Sequence, residues 1–553
     1  MNGVPDQKPV DAPGLNEKIL FWASFLTLIA AGIGFSVRGA ILKDWGQQFG
    51  FTQSELGTIT GGGLFGFGLA IIFFSFCADL FGYGKLMLVA FLLHSSSAVL
   101  TFGADWVFAA YGKEAAYWCL WTGMLLFALG NGTCEAVINP LTATLFPNNK
   151  THWLNILHAG WPLGLILGAG IVLGFGQIDT PIRWEIKLGV FLVPVLLYGL
   201  LMFNRPFPKS EASASGISLG TSLLTLLSPI LLFLFVLHAL IGYVELGTDS
   251  WITNITERVL SNQTQALLAF IWTNALMFTL RFFAGPIVHK INPLGLLFVS
   301  ALLGTTGLYL LGQPYTDTVW LWVAAVTVYG IGKTFYWPTM LGVISERFPK
   351  GGALALGISG GIGMISAGLL GGPGIGYKQD YAAVQKLQEL SKPTYERYVA
   401  RDDDGHPVTI GFPVVTKIAP DKVPAVAGLD NGKLKVFDDY GGVLASEKAG
   451  KKDAMTTLES DWNTLQKEKA ANKPVGEKLE KNLSSLKNWW DADGKPNYGT
   501  DEKPLETSRL YGAKTALLYT AAVPAVLAVG FLLLILYFAA IGGYKQVHID
   551  EKH

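Results

Sequence analysis

Charge is what this sequence has least of. Only 15% of its 553 residues are Asp, Glu, Lys or Arg, where soluble proteins carry about a quarter. That deficit excludes a disordered chain and sets a soluble globular fold aside. Cysteine is scarce too. Cys77, Cys119 and Cys134 all fall inside apolar stretches, with no C-x-x-C pair and no Cys/His metal spacing, so neither a disulfide framework nor a metal site is expected. Charge of one sign does not accumulate: 41 Lys and Arg balance 41 Asp and Glu, and nothing calls for nucleic acid as a partner. No G-x-x-x-x-G-K-[ST] loop occurs, which argues against an ATP-driven pump. The polar start, Met1 to Lys18, lacks the apolar core and cleavage site of a signal peptide, so the first apolar block is read as a retained membrane helix.

What the chain has in plenty is apolar sequence. It is 51% hydrophobic, in blocks near the roughly 20 residues that a helix needs to cross a bilayer. Twelve spans are expected, near 19–42, 57–80, 86–104, 116–141, 153–176, 186–204, 227–250, 264–288, 294–313, 318–343, 352–376 and 513–541. The fold class is therefore all-α integral membrane, with two six-helix bundles. The first bundle is 19–205; the second is 227–376, completed by a last helix at 513–545. Tails 1–18 and 546–553 flank them, and a linker at 206–226, with Pro206, Pro208 and several serines, reads as a flexible join. Basic residues such as Lys85, Arg205, Lys209 and Lys350 favour one set of short connections by about two to one, which places both termini in the cytoplasm of a multi-pass protein of the cell (inner or plasma) membrane.

The exception is 377–512, between the last two spans, which is polar and too long for a simple connection. Tyr381–Leu390 and the stretch Ala454–Leu486 read as helical and Val408–Val415 as a strand, giving a small extracytoplasmic α(+β) domain without disulfides. Asp491-Ala492-Asp493-Gly494 with Glu502 has the outline of a calcium loop. Pro496 stands where that loop turns on glycine, so an Asp-Gly turn is the better reading.

The fourth and tenth blocks repeat a pattern. Gly130-Asn131-Gly132 and Gly330-Ile331-Gly332 precede Pro140 and Pro338, and both blocks end in Phe-Pro, at Phe146-Pro147 and Phe348-Pro349. Counting back five residues from each proline gives Glu135 and Lys333. Two similar six-helix halves with corresponding Gly/Pro-marked helices are what a secondary carrier needs, because the halves can rock about a site at the membrane midplane. Ionisable groups in hydrocarbon are costly and face a bundle interior or a wet cavity. Glu135 and Lys333 are accordingly expected in one central hollow, where alternate pairing and release could couple proton binding to solute binding. A static ion pair is the plainer alternative.

Around them, His158 and Trp161 lie in block five, and Asn131, Asn139 and Asn274 offer amides able to bind hydroxyls. Trp161, Trp272 and Tyr336 offer flat apolar faces, and amides interleaved with aromatics suit a polyhydroxylated ring. Membrane-interface anchoring is the competing use of such Trp and Tyr residues. Arg38 reads as an outer gate or an anion contact, and Glu245 as a gate, a solute contact or a solvated loop residue. Glycines in blocks two and eleven, among them Gly68, Gly357, Gly361 and Gly363, predict close helix contacts. Gly357-Ile358-Ser359-Gly360-Gly361 fits the G-x-S-x-G nucleophile pattern but lacks its strand-turn-helix context, so no catalytic residue, and no cofactor, is expected.

These residues resemble the major facilitator superfamily, and within it the fucose permease-like sugar symporters. Ala78-Asp79-Leu80-Phe81-Gly82 with Lys85 is similar to the superfamily's loop motif between helices two and three. Gly130 to Glu135, running to Asn139-Pro140-Leu141, resembles the fucose permease fourth helix, and Leu154-Asn155 with His158 and Gly164 its fifth. Glu245, Ser250-Trp251 and Asn254 are similar to the seventh helix, Arg281-Phe282 through Lys290 to the turn after the eighth, and Pro338-Thr339 to the tenth. The resemblance covers all twelve blocks but not 377–512. It implies that Glu135 handles substrate and proton, and that Asp79, Gly82, Lys85 and Arg281 form a conformational gate motif. Two departures stand out: the acidic residue of the first helix falls near Gly39, beside Arg38, and Lys333 replaces an uncharged residue.

The reading is a monomeric secondary transporter, not an enzyme. It moves a small polar solute, a sugar first of all, by alternating access with protons, sodium or uniport being the alternatives. Two other readings stand beside it: an organic-anion carrier of the same fold using Arg38 and Lys333, and a receptor acting through a partner of the 377–512 domain.

Overall fold

The computed structural model describes residues 14–49, 51, 53–176, 178, 182–402, 404–412, 415–448, 455–470 and 477–549. The outermost parts of both expected tails, 1–13 and 550–553, lie outside the described residues. Two compact units emerge.

The larger unit comprises 1–311, 315–372 and 520–553, and its described residues form twelve helical spans. The first six are α1 (Leu15–Ala40), α2 (Gln53–Phe81), α3 (Tyr83–Phe102), α4 (113–145), α5 (Lys150–Phe175) and α6 (Trp184–Met202). The second six are α7 (Pro229–Leu260), α8 (263–291), α9 (293–311), α10 (319–347), α11 (Gly352–Ser366 with the wide turn Ala367–Gly371) and α12 (Ala522–Ala540). Span boundaries are set by backbone that leaves the helical region. Gly112, at φ 81°, starts α4, and Asn292, at φ 54°, separates α8 from α9. The chain is a multi-pass membrane protein by this architecture, because only spans that satisfy their own backbone hydrogen bonds survive in hydrocarbon.

The expected division into halves is visible in the helix contacts. Within the first half α1 packs on α5 and α6, α2 on α4, and α3 on α4 and α6; shifting each number by six reproduces the contacts of the second half. Between halves the main contacts are α2 with α11 and α5 with α8, a pair that the same shift exchanges. Glycine lets α11 pack closely on its neighbours. A Cβ on Gly242 of α7 would come within 1.9 Å of the Gly363 carbonyl oxygen, and one on Gly68 of α2 within 2.9 Å of Gly361. Those sites tolerate nothing larger, and in lipid such approach is what holds helices together.

At one end of the bundle lie the linker and both described termini. The linker is ordered rather than a flexible join: it forms two short helices, Glu211–Ala214 and Leu219–Leu226, capped by the side chains of Ser210 and Ser218. Ser210 also donates to Asp79 at 2.6 Å, and Lys150, fully buried, reaches Glu211 at 2.5 Å and the Ser345 carbonyl at 3.3 Å. Thr151 donates to Glu346 at 2.5 Å, Asn155 to Thr339 at 3.1 Å, and Gln546 of the tail to the Pro147 carbonyl at 2.6 Å. The two halves are therefore stitched together at this end.

The smaller unit comprises 312–314 and 373–519, slightly wider than the 377–512 expected from composition. It is helical, with Lys392–Tyr398, Asn431–Lys448, Thr457–Ala470 and Glu477–Trp489, and two aromatic-rich cores. The expected strand shrinks to β1 (Thr409–Ile410), antiparallel to β2 (Val426–Ala427), while Val415 begins a short helix and 413–414 lie outside the described residues. The long helical stretch splits into Thr457–Ala470 and Glu477–Trp489, with 454 and 471–476 outside the described residues. Asp491 and Asp493 occupy a helical turn, Trp490–Gly494, and Glu502 lies within helix Tyr498–Thr520, so no calcium loop forms.

Candidate functional site

Three spans that meet at the centre of the bundle are interrupted at one level. Helix α5 breaks at Ala159, α8 at Phe282–Phe283 and α10 at Thr334–Phe335. Proline accounts for this. Pro162, Pro286 and Pro338 lack the N–H that would bind the carbonyl four residues back, so helical hydrogen bonding lapses over those turns. Helix α4 runs unbroken through Pro140. The broken helices are thus α5, α8 and α10, while α4, which carries the first copy of the repeat, stays continuous. Broken helices at mid-membrane expose backbone polar groups and are where transporters of this kind bind solute and ion.

Seven side chains on five helices form two strings there. In the first, Glu135 on α4 accepts from Asn139 Nδ2 at 2.6 Å, and Asn139 Oδ1 lies 2.8 Å from His158 Nε2 on α5. Since a carboxylate only accepts, the amide must present its NH2 to Glu135 and its oxygen to the imidazole, which makes His158 Nε2 the donor. In the second string, Arg281 Nη2 on α8 lies 3.3 Å from Glu245 Oε1 on α7, and Lys333 Nζ on α10 lies 2.5 Å from Asp249 Oδ1, also on α7. Arg281 joins the strings by donating to the His158 carbonyl at 2.5 Å, and its charge also acts on Glu135. All of these side chains are buried except that of Asp249, which is 15% exposed.

Glu135, Asn139, His158, Glu245 and Lys333 thus come together as a site. Glu135 and Lys333 do not pair with each other: the lysine is taken by Asp249. Arg281, expected in a loop motif, is inside the span and buried. The rest of that motif, Asp79, Gly82 and Lys85, lies at the linker end, where Gly82 adopts φ 82° at the α2–α3 turn.

The other expected contacts sit elsewhere. Asn131 is held at 3.0 Å by His94, which also binds Tyr198 at 2.9 Å, within the first half. Arg38 is buried there too, stacked 3.9 Å over Phe127 and donating to Ser97 at 3.0 Å, which takes it out of any outer gate. Asn274 turns back on its own helix at the Phe270 carbonyl. Trp272 is 45% exposed and donates to Thr327. Tyr336 donates to the Ser300 carbonyl on α9. Trp161 is half-buried and packs edge-on against Phe35 of α1. Ser359 lies 2.5 Å from His238 Nδ1 in the interior of two helices, as a packing contact in place of a nucleophile elbow.

Sequence reasoning left Asp249 out of the site and gave Arg281 a gate role rather than a place in it. Asp249 is four residues beyond Glu245 and so shares its helix face, a spacing readable from sequence. Arg281 could have been found from Pro162 and Pro338, each of which frees a carbonyl in need of a donor.

The model of the Major Facilitator Superfamily matches residues 24–372, more than half of the chain. A cis,cis-muconate transport protein of Acinetobacter baylyi is 25% identical over 291 residues, covering 50% of this chain and 67% of that protein. Among solved structures, the E. coli fucose:proton symporter is similar at 18% identity and a TM-score of 0.53, covering 66% of this chain and 92% of its own. The proton:xylose symporter XylE, solved with 6-bromo-6-deoxy-D-glucose, is similar at 15% identity and 0.54, covering 64% and 87%. The family match ends at residue 372, next to where the smaller unit begins.

Proposed function

We propose, for a chain that belongs to the Major Facilitator Superfamily and is a transporter rather than an enzyme, that it carries a small neutral hydroxylated solute, a sugar, together with a proton by alternating access. Glu135 is the proton carrier in this reading.

One observation carries it, a charge count. Three carboxylates, Glu135, Glu245 and Asp249, face two cations, Arg281 and Lys333, and each cation already has a carboxylate at hydrogen-bond distance. Glu135 is left over: its side-chain hydrogen-bond partner is an amide, and among the described residues no cation lies at hydrogen-bond distance from it. A buried group of net negative charge is relieved by taking up a proton, whereas an added anion makes the imbalance worse. With Glu135 protonated the site is neutral, and hydroxyls can bind among its donors and acceptors. Asn139 and His158 link that proton to solute contact.

The excess of basic residues at the linker end supports a cytoplasmic location for both termini, and with it an extracytoplasmic one for 377–512. The stitched linker end is then the closed inner gate, with Lys150, Glu211 and Glu346 as its charged contacts.

A second reading is an organic-anion carrier, favoured by Lys333 and Arg281 and by the similarity to a muconate transport protein. In that case a solute carboxylate replaces Asp249 on Lys333. Arg38, shut inside the first half, takes no part. Thermal-shift screening of the purified protein against sugars and organic acids identifies the ligand class, because site-bound solutes stabilise the folded state. Lys333→Met then separates the readings: a sugar carrier keeps measurable binding and an anion carrier loses it.

A further inference from the structure

Arg281 makes two bonds that follow from prolines on two different helices. In an α-helix the carbonyl of residue i accepts from the N–H of residue i+4. Pro162 has no N–H to give the His158 carbonyl, and Pro338 has none for Thr334. Arg281 supplies both missing donors, Nη1 to His158 at 2.5 Å and Nε to Thr334 at 2.8 Å, while Nη2 faces Glu245 at 3.3 Å. Only a guanidinium, with donors fixed in a planar fork, can serve three acceptors in these directions at once.

The two carbonyls belong to different halves of the bundle. Thr334 and Glu245 lie on α10 and α7, in the same half as Arg281, and His158 lies on α5 in the other. We infer that Arg281 is a positioning residue that clasps the two halves through the carbonyl Pro162 leaves open, and that releasing this one bond is required for the linker end to open. The inference deepens the transport reading above and rests on it for direction only. Its motion is defined by the bonds: the arginine stays with Glu245 and Thr334, and the His158 contact is the one that parts. His158 also ends the string from Glu135 through Asn139, so the imidazole meets the proton site while its own carbonyl holds the clasp. A change at Glu135 thus reaches the inter-half bond through two residues, Asn139 and His158.

The test uses two alanine variants in the full-length protein. Pro162→Ala restores an N–H for the His158 carbonyl, which competes with Arg281 across the halves. Pro338→Ala does the same for Thr334, inside one half. Spin labels at Asn148 and Lys350, at the linker end of the two halves, report the open and closed populations by their distance distribution, in a background with the three cysteines replaced. Pro162→Ala is expected to raise the open-to-closed ratio about tenfold, equivalent to roughly 1.4 kcal/mol. Pro338→Ala is expected to leave it within about twofold. An unchanged ratio in Pro162→Ala, or equal shifts in both variants, overturns the clasp. Should Pro162→Ala fail to fold, Arg281→Lys decides. It keeps the charge beside Glu245 but cannot span the acceptors, so it is expected to open the linker end, and a closed distribution there counts against the inference. These readings need neither solute nor a gradient, so a failed clasp leaves sugar symport standing, and a failed sugar assay leaves the clasp.

Discussion

Lys333 Nζ lies 2.5 Å from Asp249 Oδ1, and Asp249 stands one helical turn beyond Glu245 on the same face of α7. Both cations of the site, one on α8 and one on α10, are therefore neutralised by a single helix. Any movement of α7 against its neighbours has to separate charge, which ties helix position to protonation and solute.

Removing one member of that pair leaves a charge without compensation. Lys333→Met and Asp249→Asn should each destabilise the protein by about 3–5 kcal/mol, and the double variant should recover most of that loss. Fluorescence-detected thermal unfolding in detergent provides the measurement. Strictly additive losses mean that the two residues do not act as a pair.

Asn139 is predicted to matter through both of its ends. Asn139→Leu removes the bridge between Glu135 and His158, at a cost of about 1–3 kcal/mol. The KM for solute exchange should rise about tenfold while the amount of folded protein holds. Exchange with a KM indistinguishable from that of the wild type removes Asn139 from the site.

The linker-end contacts predict a change in access. Lys150 is fully buried, and its carboxylate partner is Glu211 of the linker. Glu211→Gln weakens a charge-assisted hydrogen bond worth about 1.5–3 kcal/mol, so maleimide labelling of a cysteine placed at Thr144 should accelerate at least several-fold. Unchanged labelling means the linker does not hold that end shut.

Within the smaller unit, Asp501 is fully buried and bound by Arg397 through both carboxylate oxygens, with Thr394 donating at 2.7 Å. Asp501→Ala should cost about 3–5 kcal/mol and open residues 373–519 to limited proteolysis. Replacing 377–512 by a short linker should leave transport intact if the unit is accessory. Loss of signalling without loss of transport points instead to a receptor role.

The architecture was legible because each span announces itself locally: a long apolar block, with glycine where helices meet closely. Gly68, Gly361 and Gly363 could be assigned to contacts before any partner was known. The site was only half legible. Glu135, Asn139 and His158 stand out as polar residues in hydrocarbon. Their grouping followed from helix spacing, since Asn139 is one turn from Glu135. Lys333 is buried and pairs with Asp249 rather than Glu135, because the two bundles repeat in helix order and not in which charges face each other. Asn131, Arg38 and Tyr336 are equally buried and polar, yet they serve His94, Phe127 and Ser300 within single halves. Which side of a helix meets the other half is a tertiary fact, and composition carries no trace of it. The ordered linker was hidden for a similar reason: its short helices are held by Asp79 and Lys150, far away in sequence.

The account turns on Glu135 as the proton-carrying carboxylate. Uptake of radiolabelled monosaccharides into proteoliposomes under an inside-alkaline pH gradient measures this directly, with Glu135→Gln in parallel. The expected result is accumulation above equilibrium in the wild type that a protonophore abolishes, and in the variant no accumulation but preserved exchange. Gradient-independent uptake by the wild type, or full accumulation by Glu135→Gln, would contradict it.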